Sequence, residues 1–157
     1  MPISPVLSTG ARVAVLIMVG LLAGSVFGVR AGYDFAQYTP AAYLEVHQGA
    51  VRGLNNLLPL LGLVAIVLSV GLAIGARANR RIMFGYLAAA VLLAGAGLVT
   101  RFGNQPINDL IVTWTPGNLP ADWETIRDTW RNLHLLRLAL TLPAQVILVV
   151  TALNDRR

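Results

Sequence analysis

The chain contains no cysteine and no lysine, and charged residues make up only 12% of its 157 positions. Without cysteine there are no disulfides, no thiolate metal sites and no thiol nucleophile, and the redox compartment stays undecided. Every basic residue is an arginine, and Ala, Gly, Leu and Val dominate, a usage that points to a GC-rich bacterial genome. The shortage of charge says more. A soluble domain carries about 25% charged residues, and a chain this poor in charge, with 56% hydrophobic residues, has too little polar surface to face water. A bilayer is the solvent these proportions imply. The formal charge of +5 does not indicate nucleic acid, because no basic stripe with interleaved aromatics accompanies it. Arginines placed beside apolar runs account for it.

What is present is a set of four uncharged windows, Val13 to Val29, Gly53 to Ala76, Ile82 to Thr100 and Leu138 to Asn154. Each approaches the about 20 apolar residues that a spanning helix needs, and the two short ones lengthen if their flanking arginines snorkel to the interface. The predicted fold class is therefore all-α: a four-transmembrane-helix bundle in one domain, 1–157, with spans at approximately 12–30, 53–76, 82–101 and 134–154. Gly20, Gly24 and Gly28 recur on one face of the first helix, and Gly95 and Gly97 lie on the third, spacings that let helix backbones approach closely in lipid. Arg12 ahead of an apolar run is also a signal-peptide layout. The other three spans would then have an odd topology, so the run is read as a span.

Arginine counts on the two sides tie, so orientation rests on where they concentrate. The short loop "RANRR" and the tail "NDRR", which contains Arg156 and Arg157, are inner signatures, while six of the seven acids and all three tryptophans lie on the opposite side. The expectation is an integral protein of a bacterial inner membrane with both termini cytoplasmic. The outer side then carries the elaborated segments, after helices 1 and 3.

Polar residues converge on that side. The run from Pro40, "PAAYLEVHQGAVRGLNN", has no proline until Pro59, so the second helix is expected to begin outside the membrane and run in, with Tyr43 and His47 on one face. In "TRFGNQPINDL", Asn104 and Asn108 flank Pro106, which is expected to push Gln105 out of helical geometry. The fourth helix is expected to start near Pro120, with Asp122 and Glu124 at the positive end of its dipole. Trp123, Arg127, Trp130, His134 and Arg137 then follow one stripe, with Arg131 beside it. In an up-down bundle, His47, Asn104, Asn108, Arg131, His134 and Arg137 can surround one pocket. Plainer roles exist for each: snorkelling anchors for Arg30, Arg52 and Arg101, a belt anchor for Trp114, caps and turns for the asparagines, structural hydrogen bonds for the histidines.

The pairing of "NQPIN" with "WRNLHLLR" ahead of an apolar final helix resembles the anthrone oxygenase family of small four-helix membrane proteins. The resemblance covers the whole chain in layout and is specific in Arg101 to Arg137. It points to Asn104, Pro106, Asn108, Trp130, His134 and Arg137, while His47 comes from the reading of the residues alone. It implies an oxygenase that uses O₂ on a hydrophobic, aromatic or phenolic, anthrone-like substrate drawn from the bilayer. In that chemistry a neutral His134 or His47 removes an acidic C–H proton. Arg137 or Arg131, with Asn104 and Asn108, stabilises the resulting anion, and Trp123, Trp130 and Tyr43 supply flat walls. The cofactor stays open: none, or copper, iron or haem held by His47 and His134. The expected partners are the lipid bilayer, a small apolar substrate, and a second copy in a homo-oligomer. The alternative is a non-enzymatic scaffold or ligand-binding protein, in which the His and Arg cluster is structural. A transporter is disfavoured, because no ionisable residue lies deep in the four windows.

Overall fold

A computed structural model describes residues 5–155; Arg156 and Arg157, on which part of the orientation argument rests, lie outside the described residues. The described residues form only helices: α1 (Pro5–Gly32), a 3₁₀ turn (Phe35–Gln37), α2 (Pro40–Leu54), α3 (Leu57–Gly75), α4 (Arg80–Val99), a π turn (Thr100–Asn104), α5 (Gln105–Ile111) and α6 (Trp123–Asn154). Four helical stretches, Leu7–Gln37, Leu57–Gly75, Arg80–Ile111 and Trp123–Asn154, are long and apolar enough to cross a membrane. Large side chains such as Leu21, Val67, Leu98 and Val146 face outward, which in water would leave costly apolar surface and in lipid is the required boundary. The chain is an integral membrane protein built as a four-helix bundle.

The helix starts are readable locally. Thr39 accepts from the Ala42 N–H at 3.3 Å with Pro40 in the first turn of α2, and Asn79 accepts from the Ile82 N–H at 3.4 Å to open α4. In the bundle α4 packs between α3 and α6, and α1 closes the far side against the same two helices. Small residues bring the helices together in the membrane core, where Ala65, Ala73, Ala89 and Ala144 are buried with Tyr86 and Leu148. The Asp155 carboxylate accepts from the Tyr86 hydroxyl at 3.1 Å, and Arg12 donates to the Asp155 carbonyl, so the start of α1 is tied to the end of α6.

A close approach at Gly85 of α4 leaves no space for a side chain: a Cβ there overlaps the Thr151 side chain of α6, with Cγ2 only 2.9 Å away. Gly85→Ala is expected to lower stability by about 1–3 kcal/mol, read as a fall in the melting temperature in detergent. Thr151→Ala in the same chain restores it if the clash is the cause; an unchanged melting temperature for Gly85→Ala alone refutes the account.

Two expectations are corrected. The second helix is not continuous: it breaks at Asn55 and Asn56 between α2 and α3. Pro59 has no N–H to give the Asn55 carbonyl, and its ring crowds that carbonyl, so a straight helix cannot pass. Gln105 is not displaced from helical geometry, having φ −60° and ψ −50°. The chain absorbs Pro106 by widening the preceding turn, in which the Gln105 N–H reaches Thr100 five residues back. The last helix begins at Trp123, so Pro120 stands just ahead of its first turn; Glu124 lies in that turn as expected, while Asp122, at the N-cap position, makes no side-chain cap hydrogen bond.

Candidate functional site

Above the membrane core a second apolar cluster, including Phe35, Tyr43, Ile111, Trp114 and Trp130, fills the space between the 3₁₀ turn, α2, α5 and α6. Against it lies a chain of buried polar groups. The order of its hydrogen bonds follows from one donor. An indole nitrogen can only donate, so the Asn108 atom 2.8 Å from Trp130 Nε1 is the amide oxygen. The amide nitrogen of Asn108 then donates to Asn55 Oδ1 at 3.0 Å. His47 Nε2, 3.2 Å from the same Asn108 oxygen, must also donate. This fixes the neutral Nε2–H tautomer of His47 and leaves its Nδ1 lone pair with no hydrogen-bond partner among the described residues. Burial pushes the His47 imidazole down to about 4, an effect only partly offset by the Asn108 hydrogen bond.

His134 is engaged at both nitrogens. Its Nε2 donates to the Val26 carbonyl of α1 at 2.9 Å, and its Nδ1 accepts from Arg137 Nη2 at 2.6 Å. Arg137 also donates to Thr100 Oγ1 at 3.4 Å, while its Nε is buried without a partner. The indole of Trp130 touches both imidazoles, stacked on His134 at 4.9 Å and edge-on to His47 at 4.8 Å.

These groups line a cavity of about 550 Å³ whose other walls are mostly apolar. It runs from His47, Asn108 and Trp130 down past Arg137 to Leu93 and Thr141. Trp130 and Thr141 lie on one helix, roughly 16 Å apart along its axis. This volume falls within the about 300–1,000 Å³ of ordinary small-molecule sites.

Of the residues singled out from the sequence, His47, Asn108, Trp130, His134 and Arg137 come together at this cavity. Asn104 is fully buried but stands behind the wall, donating from Nδ2 to the Trp130 carbonyl at 3.1 Å. It fastens the π turn to α6. Arg131 lies outside, paired with Asp128 at 3.3 Å and with Asp34 at 3.9 Å. Tyr43 and Trp123 also lie outside and pack on each other at 5.6 Å, with Arg127 over the Trp123 ring at 5.0 Å. Burial raises the Tyr43 phenol, which therefore stays protonated.

Asn55, Val26, Thr100 and Arg101 belong to the site and were not singled out for it. For Asn55 a signal existed: "NNLLP" places two asparagines four and three residues before a proline inside an apolar run. The Val26 carbonyl carried none, because every residue has one.

The donor set does not fit a metal or haem shared by the two histidines. No cluster of three or more His, Cys, Asp or Glu occurs among the described residues. His134 has no free lone pair, and both Nε2 atoms already point at oxygen acceptors. Coordination through them would leave Val26 and Asn108 without their partners.

The fold and site together define a small four-helix membrane protein with a polar-headed cavity at one end of the bundle. The family model for anthrone oxygenase matches residues 48–147. The chain belongs to the anthrone oxygenase family. The matched range begins one position after His47, so membership carries no information about that residue. No curated protein matches the chain, and neither does any solved structure.

Proposed function

We propose that the protein is an integral-membrane oxygenase acting on a hydrophobic, anthrone-like aromatic substrate, with both termini cytoplasmic and the cavity toward the opposite side. One observation carries this reading: a buried imidazole with an unengaged lone pair, an indole wall and a buried guanidinium line one largely apolar cavity. A scaffold needs these groups only to satisfy one another, and a cavity of about 550 Å³ has no purpose in it.

His47 is the base in this reading, because His134 has its lone pair occupied by Arg137. His47 Nδ1 takes a proton from the central-ring CH₂, acidic because the aromatic rings conjugate it with the carbonyl opposite, and the resulting enolate carries its oxygen charge toward Arg137. The enolate gives electrons to O₂ and a C–O bond forms, producing a hydroperoxide once the proton returns. Loss of water converts the original CH₂ to a carbonyl, so CH₂ and O₂ become C=O and H₂O with no outside reductant. His134 orients Arg137, and Asn108 sets the His47 tautomer.

The test is O₂ uptake and ketone formation with anthrone, using purified protein in lipid nanodiscs. No uptake above a protein-free control in any condition removes the oxygenase reading. The pH profile adds a specific mark. A base pushed down to about 4 stays unprotonated through the neutral range, so activity is level there and falls only as pH drops through about 4. An unperturbed histidine would place that fall near 6.5.

A further inference from the structure

The cavity holds charge of one sign. Arg101 and Arg137 line it, and no Asp or Glu does. Arg137 makes no ion pair among the described residues; its partners are a neutral imidazole and a hydroxyl, and its Nε has none. Arg101, exposed at the rim, also has no hydrogen bond or ion pair among the described residues, unlike Arg127 and Arg131, which pair with acids. A buried guanidinium without an anion is an unfavourable arrangement that a ligand can complete.

The exposed residues of the lining are informative about access. At the outer end they are Tyr33 after α1 and Ala50 on α2; alongside the spans they are Pro59 and Leu63 on α3, Gly97 near the end of α4 and Arg101 in the π turn. A Cβ built at Gly97 meets nothing within 4 Å, so the helix surface is open there. Leu63 and Gly97 are exposed positions within the stretches long and apolar enough to cross a membrane.

We propose that the cavity binds lipophilic anions, molecules with a ring or chain body and one acidic oxygen head, which enter from the bilayer between α3 and α4 and place the head against Arg137. The claim deepens the oxygenase reading by naming the charge state and route of the ligand, and it rests on that reading only in treating this cavity as the working site. The apolar walls hold the body, and the Arg137 guanidinium supplies a charge-assisted hydrogen bond to the head. Arg101 attracts the same head at the rim.

The probe pair is a hexyl-substituted naphthoic acid and its primary amide, which share a body and differ in charge. Affinity is measured by titration calorimetry and rates by stopped-flow quenching of tryptophan fluorescence, both at neutral pH on the protein in phosphatidylcholine nanodiscs. The acid is expected to bind about 10- to 100-fold more tightly than the amide, the range of a hydrogen bond to a charged group. Arg137→Gln brings the affinities for acid and amide together, and amide binding that is still detectable shows that the pocket has not collapsed. Arg101→Gln, at an exposed position, lowers the acid's association rate more than it raises its dissociation rate. Gly97→Leu slows association of both probes.

Equal affinity for acid and amide in the unmodified protein overturns the proposal, as does a preference that survives Arg137→Gln. Competition by added phosphatidylglycerol identifies the anion as a lipid headgroup; indifference to it identifies a free acid. Acid-selective binding without O₂ uptake sustains this proposal and sinks the oxygenase, while uptake without acid selectivity does the reverse.

Discussion

His47→Gln is expected to lower the rate of O₂ uptake with anthrone by about 10²–10⁴-fold while leaving the fold in place. Glutamine keeps a donor that can reach the Asn108 oxygen, now served by His47 Nε2 at 3.2 Å. It has no basic lone pair. The variant therefore separates the hydrogen-bonding role of position 47 from proton abstraction. His134→Gln is the matched comparison, because that ring's lone pair already accepts from Arg137 and its N–H goes to Val26. Its loss is expected to be smaller and to come through misplacement of Arg137, appearing in KM as well as kcat. If His134→Gln abolishes turnover and His47→Gln does not, the assignment of the base is reversed. If both retain full activity with an unchanged pH profile, neither ring is the base.

Asn108→Leu is expected to be the most destabilising single change in the outer half of the molecule. One amide serves three partners: it accepts from Trp130 Nε1 and His47 Nε2 and donates to Asn55. Leucine fills a similar volume but orphans two buried donors, each costing about 1–3 kcal/mol. Asn104→Leu gives the scale, since it removes a single bond to the Trp130 carbonyl. Thermal unfolding in detergent ranks the two, and a double-mutant cycle with Trp130→Phe gives a coupling energy if the bond to the indole is the main one. The tautomer of His47 is the second readout. Nitrogen NMR of the ring shows Nε2–H in the unmodified protein and a mixed or exchanged tautomer once Asn108 is gone. A melting temperature for Asn108→Leu no lower than that of Asn104→Leu refutes the ranking.

The residues differ in how far they could be read in advance. The four crossings follow from apolar run length alone, because a bilayer imposes that length on any helix that spans it. The motif "NQPIN" and the stripe Trp130, His134, Arg137 were visible as polar groups entering an apolar helix, which is costly enough to signal a purpose. Arg131 sits on the same segment and shares the chemistry, yet a rotation of one residue around the helix turns it toward Asp128 and Asp34 instead of the cavity. Pro106 announced an irregularity but not its kind, since displacing Gln105 relieves the clash with the proline ring and widening the turn accommodates both that ring and the missing N–H. Tyr43 and His47 share a helix face, and only the packing of Trp123 against Tyr43 decides that one is wall filling while the other reaches the cavity.

By itself the sequence determined the solvent, the number of crossings and the residue types gathered at one end of the bundle, because hydropathy and helical period are local properties. Tertiary structure alone decided which histidine keeps a free lone pair. That choice depends on an indole N–H orienting an amide from another helix, and on a carbonyl and a guanidinium claiming both nitrogens of the other ring. These contacts join residues 22 to 108 positions apart, apart from the one between Arg137 and His134 within a single helix turn.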